Sequence, residues 1–187
     1  MKIGLFGCGA YGMALSSILI SNNHKVEMWT KFQEEKEKLE TTRKNEKLLP
    51  GYTLSDKIKI TTSVKECIND KDLLIIAIPA AFIDSLALEM QPYIKDNHIL
   101  IATKGIEQGT GLFINEILEK YLDTKNIAAI SGPTFAVDLI TKMPAGLSVA
   151  SKNDETIALA INALQNRYIK LRPTHDIIGV ETCGAIK

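Results

Sequence analysis

A mostly parallel, doubly wound α/β sheet is expected from three features of this chain. Short aliphatic runs alternate with amphipathic stretches along nearly its whole length. The runs are continuously apolar rather than alternating, as in strands covered on both faces. The first run also leads directly into a glycine-rich turn that opens a helical pattern. Right-handed crossovers then distribute the helices over both faces of the sheet.

Taken in order, residues 2–6 (KIGLF) read as a buried strand and 11–22 as a helix. Residues 26–29 are the next strand, and a polar helix follows from about Phe32. Eleven of the seventeen residues from 31 to 47 are charged with both signs mixed, the pattern of a solvated helix rather than an interaction tail. Further strands are expected at 58–60, 73–78, 99–102 and 127–130, with helices near 80–91 and 112–122. Two more strands, 147–150 and 168–171, flank a helix near 154–164. After Pro173 a helical pattern restarts over 176–187. A helix of that kind cannot bury its apolar side alone, so a continuation of the chain is expected to cover it.

Composition narrows the function. The 187 residues carry 22 basic and 22 acidic side chains, which argues against a nucleic-acid binder or a polybasic membrane-surface protein. No apolar run approaches the ~18–20 residues of a membrane span. The apolar residues 1–21 superficially resemble an export signal, but their glycines fall at fixed intervals rather than at a cleavage site. Cys8, Cys67 and Cys183 are odd in number and far apart, giving neither a disulfide framework nor metal-ligand spacing. Reduced thiols in the cytoplasm, and no metal, are the expectation.

Gly7-Cys8-Gly9-Ala10-Tyr11-Gly12 matches GxGxxG between an apolar strand and a helix, the context in which that pattern binds a dinucleotide. Gly7 makes the tight turn, Gly9 lets the backbone approach a pyrophosphate, and Gly12 permits close helix–strand packing. Free amides and the positive end of the helix dipole then face the anion. The acidic residue that reads a ribose 2′-hydroxyl is missing at the end of the second strand, where the chain reads Trp29-Thr30-Lys31. Lys31 can attract a 2′-phosphate, which predicts NADPH accepted at least as well as NADH. It can equally be a surface lysine beginning the charged helix. Cys8 sits beside a helix N-terminus, which can lower a thiol pKa, but an inert small side chain is the simpler reading. Trp29 and Phe135 read as core aromatics. His24, His98 and His175 fall near loops, and no Ser or Cys stands in a nucleophile elbow, so a catalytic triad has no support.

Leu49-Pro50-Gly51, Ala102-Thr103-Lys104-Gly105-Ile106-Glu107, Ser131-Gly132-Pro133-Thr134-Phe135-Ala136 and Gly184-Ala185-Ile186-Lys187 then occur in order. Together with the glycine loop they resemble the NAD(P)-dependent glycerol-3-phosphate dehydrogenases of the bacterial type, over essentially the whole chain. The resemblance implies a Rossmann-type domain over 1–174, with 175–187 as the first helix of a missing, all-helical C-terminal domain. It implies reversible hydride transfer between NAD(P)H and dihydroxyacetone phosphate, giving sn-glycerol 3-phosphate for glycerophospholipid synthesis. Ala10, Tyr11, Lys31 and Ala136 match the family's cofactor contacts, with Phe82 near the nicotinamide end. Lys104 matches a lysine shared by cofactor and substrate, Gly132 and Thr134 match substrate contacts, and Lys187 matches the catalytic proton-transfer lysine. An asparagine after that lysine, an aspartate and an Arg-Asn pair complete the family's substrate site, and none is present here. The resemblance therefore implies a truncated chain that binds dinucleotide but is inactive or nearly so alone. It implies a homodimer for the full-length protein and a monomer for this piece.

The chemistry of those residues agrees. The cofactor supplies the hydride, so the protein must position a carbonyl and manage one proton. A lysine can stabilise the developing alkoxide and donate that proton, provided its pKa falls from ~10.4. Lys104 and Lys187 can lower one another's, with a substrate phosphate opposing the effect. A lysine-using relative with the same domain plan, of the 6-phosphogluconate or nucleotide-sugar type, is the competing enzyme reading. It is not expected to carry Ser-Gly-Pro-Thr-Phe-Ala with Lys104 twenty-eight residues before Gly132. A dinucleotide-sensing module without catalysis is the competing non-enzyme reading.

Overall fold

The fold is described from a computed structural model covering residues 1–186. The chain runs β1 (Lys2–Phe6), α1 (Ala10–Ser21), β2 (Lys25–Trp29), α2 (Gln33–Thr42), β3 (Lys59–Thr61), α3 (Val64–Ile68) and β4 (Leu73–Ile76). A short 3₁₀ turn (Ala80–Phe82) precedes α4 (Ile83–Met90), followed by β5 (Ile99–Ile101), α5 (Ile114–Tyr121), β6 (Ile127–Ser131) and α6 (Ala136–Ile140). The chain continues with β7 (Ala145–Ser151), α7 (Asp154–Leu164), β8 (Ile169–Thr174) and α8 (Ile177–Ala185). All eight strands join one sheet in the order β3-β2-β1-β4-β5-β6-β7-β8. Every pairing is parallel except β6 with β7.

The order reverses between β1 and β4, which both start from the sheet centre and run the same way. A ligand crevice is expected at that switch point, beyond the carboxyl ends of the strands. Two apolar cores lie on opposite faces of the sheet. One contains Leu5, Met13, Leu15, Leu139 and Ala160; the other contains Phe6, Leu74, Ile83, Ile117 and Ile177. The charged helix α2 buries only Leu39, as a solvated mixed-sign helix should.

Two elements lie outside the expected set, the one-turn helices α3 and α6. The cause of α3 is visible in β1: a Cβ on Gly4 would stand 2.0 Å from the Cys67 carbonyl oxygen, so the strand admits the helix backbone only because it has no side chain there. Ser63 caps this helix, accepting from the Glu66 amide at 3.3 Å. Helix α8 buries Ile177 and Val180 within the second core, while Ile178 and Ile186 stay exposed.

Candidate functional site

The glycine loop joins β1 to α1 at the switch point. Gly7 has φ +121°, open to glycine but strained for other residues, and its amide donates to the Trp29 carbonyl at 2.9 Å. Gly12 crosses so close to the strand that a Cβ would meet the Gly7 carbonyl oxygen at 2.2 Å. A Cβ on Gly9 would meet nothing within 4 Å. Three glycines thus do three different things, with Gly9 facing open space. Gly9 is the N-cap of α1 and no side chain caps that helix. Its first amides therefore point outward as donors for an anion.

Beside the loop lies a cleft of about 450 Å³, lined by Gly7 and Gly9 from β1's end, by Thr30, Lys31 and Glu35 from β2's end, and by Ala77 to Pro79, Phe82 and Glu89 beyond β4. Its size suits part of a dinucleotide. The Lys31 Nζ stands 3.5 Å from Glu89 Oε1, both side chains largely solvated. Glu35, unanticipated from the sequence, receives a hydrogen bond from the Thr30 hydroxyl. Cys8 lines the same cleft, but burial, reinforced by the Glu35 carboxylate, pushes its thiol well above the usual range. Burial thus outweighs the helix N-terminus and keeps the group as the thiol. Phe82 is exposed on the same wall as Glu89 and shares the cleft with Lys31.

A second group gathers on the other side of the loop, at the carboxyl ends of β5 and β6. The Lys104 Nζ lies 5.5 Å from the centre of the Tyr11 ring, whose hydroxyl is 3.3 Å from Thr134 Oγ1. Burial holds the Tyr11 phenol protonated, above its ordinary pKa. Gly132 packs so tightly on β7 that a Cβ would meet the Gly146 carbonyl at 2.6 Å. Gly184 of α8 packs against this group: a Cβ there would stand 3.0 Å from Ser131 Oγ and 3.9 Å from Lys104 Cγ. Ala136 packs against the first core, one residue after Phe135. Phe135 itself is 66% exposed, so the reading of it as core is corrected: it is the N-cap residue of α6, and its amide donates to Asp138 at 3.0 Å. Trp29, by contrast, is buried against Phe6. Lys187 lies outside the described residues.

The structure therefore sets the glycine loop between two groups, with Gly7 and Gly9 sharing a cleft with Lys31 and Phe82, and Tyr11 meeting Lys104 and Thr134 on the other side. The three histidines are engaged elsewhere, His98 with Thr156 at 2.8 Å, His175 with the Ser151 carbonyl at 2.9 Å and His24 with the N-terminal amine at 3.2 Å. Among the described residues no group of three or more His, Cys, Asp and Glu is placed to hold a metal ion. No helix among them is long and apolar enough to cross a membrane.

A family model described as the NAD-dependent glycerol-3-phosphate dehydrogenase N-terminus matches residues 2–157. A glycerol-3-phosphate dehydrogenase (NAD(P)+) of Fusobacterium nucleatum is 34% identical, covering the whole chain and 57% of that protein. Its namesake in Agathobacter rectalis is 30% identical over the whole chain and 56% of its own length. The chain thus spans little more than half the length of these relatives. The crystal structure of a glycerol-3-phosphate dehydrogenase from Coxiella burnetii superposes with a TM-score of 0.91 at 26% identity, over 98% of this chain and 56% of that one.

Proposed function

The chain belongs to the NAD-dependent glycerol-3-phosphate dehydrogenase family, and from that premise we propose that it holds NAD(P)H for the interconversion of dihydroxyacetone phosphate and sn-glycerol 3-phosphate. The observation that carries the reading is the convergence of two sets of residues. The uncapped α1 start and the open face of Gly9 offer a pyrophosphate cradle, while Lys104 and Thr134 gather around Tyr11 of the first turn of the same helix. The residues present fit a dinucleotide, because the one loop glycine whose Cβ position is unobstructed is the one that must meet the phosphates.

When bound, the nicotinamide supplies or accepts the hydride. The chain's own residues position and neutralise. Amides of the first turn of α1 hold the diphosphate. Lys104 places a cation beside the Tyr11 ring, where it can stabilise negative charge growing on a substrate oxygen. The protonated Tyr11 hydroxyl and Thr134 fix the neighbouring surface through their mutual hydrogen bond. Lys187, which matches the family's catalytic lysine in sequence, is proposed as the proton-transfer lysine. Residues 1–174 are proposed as the cofactor unit and 175–187 as the start of the part that completes the substrate site. A cytoplasmic setting fits the three free thiols. A homodimer is proposed for the full-length protein and a monomer for the 187-residue chain.

Calorimetric titration of the 187-residue chain with NADH tests the reading. Uptake is expected, together with little or no oxidation of NADH by dihydroxyacetone phosphate. No uptake of either pyridine nucleotide by well-folded protein would overturn it.

A further inference from the structure

Two carboxylates, Glu35 and Glu89, line the cleft at the end of β2, where the strand itself offers none. We propose that Glu35 is the residue through which this chain selects NADH over NADPH, an inference that rests on dinucleotide binding in the glycine-loop cleft. It reverses the expectation drawn from Lys31 alone.

The placement is local and specific. The Thr30 amide continues the sheet by donating to the Thr61 carbonyl at 3.0 Å. Its hydroxyl accepts from the Phe32 amide at 3.3 Å and donates to Glu35 Oε2. That turn folds the first turn of α2 back over the end of β2, so the carboxylate absent from the strand is delivered from the helix. Glu35 is half-buried, and one oxygen is held by Thr30 while the other remains an acceptor. It shares its cleft with Gly7 and Gly9, which places it where the adenosine ribose of a dinucleotide on this loop must pass. A ribose 2′-hydroxyl can donate to a carboxylate, whereas a 2′-phosphate meets like charge.

Lys31 does not reverse that sign. Its ammonium is shared with Glu89 at 3.5 Å and its side chain is 55% exposed. The charged residues lining the cleft are Lys31, Glu35 and Glu89, so the local balance is negative.

Titration of the 187-residue chain with NADH and with NADPH, at one ionic strength, tests this. NADH is expected to bind at least about tenfold more tightly. Glu35→Gln keeps an amide oxygen for Thr30 and is expected to bring the ratio close to one, chiefly by tightening NADPH. Glu89→Gln, which releases Lys31, is expected to move the ratio the same way by a smaller step. Thermal melts should show both variants folded. Equal or tighter binding of NADPH by the unsubstituted chain overturns the inference, as does a ratio that Glu35→Gln leaves unmoved. Uptake of neither nucleotide overturns the proposed function itself, and this inference with it.

Discussion

The glycine loop and the corner between α5 and α8 lie on the same edge of the sheet and are built by opposite means. At the loop, the determinants are backbone: a positive φ at Gly7, a helix crossing at Gly12 and free amides at the start of α1. At the corner, they are side chains brought from distant parts of the chain. Glu181 of α8 is 6% exposed, and its Oε1 accepts from the Asn115 amide of α5 at 3.3 Å. Its Oε2 and the Asn115 Oδ1 are both buried without a hydrogen-bond partner. The loop leaves its polar groups for a ligand; the corner encloses a carboxyl group whose burial favours the protonated form.

The largest expected effect breaks the loop. Gly12→Ala puts a methyl group 2.2 Å from a backbone carbonyl that cannot step aside. A stability loss of about 3 kcal/mol is expected in urea denaturation, with loss of dinucleotide uptake. If Gly12→Ala folds as stably as the parent, the helix–strand crossing is looser than the structure describes.

The next effect belongs to the corner and depends on pH. Burial raises the Glu181 carboxyl to about 7, aided by Glu116 and Glu119 on α5 and only partly opposed by the amides of Asn115 and Ile114. The folded protein therefore holds this proton more tightly than the unfolded chain does. The stabilisation is fully present below the unfolded value of about 4.3 and is lost as pH rises through about 7. Glu181→Gln removes that titration. Relative to pH 5, the parent is expected to lose up to about 3 kcal/mol more than the variant by pH 8. Identical pH slopes for the two proteins would show that α8 opens to water at this corner.

That contrast also explains what could be read in the sequence. The doubly wound sheet followed from apolar runs whose length and spacing are local properties, and all eight strands lie within two or three residues of their expected positions. The loop was equally legible, because glycine spacing reports backbone geometry directly. Helix α3 was missed although two signals mark it: Ser63 and Glu66 have the spacing of a capping box, and Gly4 interrupts an otherwise aliphatic strand. Its five residues are too few to show a helical period. Glu35 was missed for a different reason. Five residues separate it from the strand end, and the turn made by the Thr30 hydroxyl carries it back to the cleft. Phe135 was misread because aromatic residues are usually buried, whereas this one starts a helix at the rim of the site.

A smaller effect separates fold from binding within the loop. Gly9→Ala adds a methyl group that meets no protein atom within 4 Å. Stability should stay within about 0.5 kcal/mol of the parent, while dinucleotide affinity falls by at least about tenfold, or 1.4 kcal/mol. Unchanged affinity would place the phosphates elsewhere.

The smallest expected effect is on the Lys31–Glu89 pair. Both side chains are about half exposed and 3.5 Å apart, so water and salt screen them. Lys31→Met should therefore change stability by less than about 0.5 kcal/mol. The charge at the corner is different in kind, because Glu181 is enclosed and its protonation state is coupled to folding. Charges at the cleft are free to respond to a ligand because the fold does not depend on them. A loss above about 1 kcal/mol in Lys31→Met, insensitive to added salt, would make the ion pair part of the scaffold. It would also weaken the division between a ligand-facing loop and a self-enclosed corner.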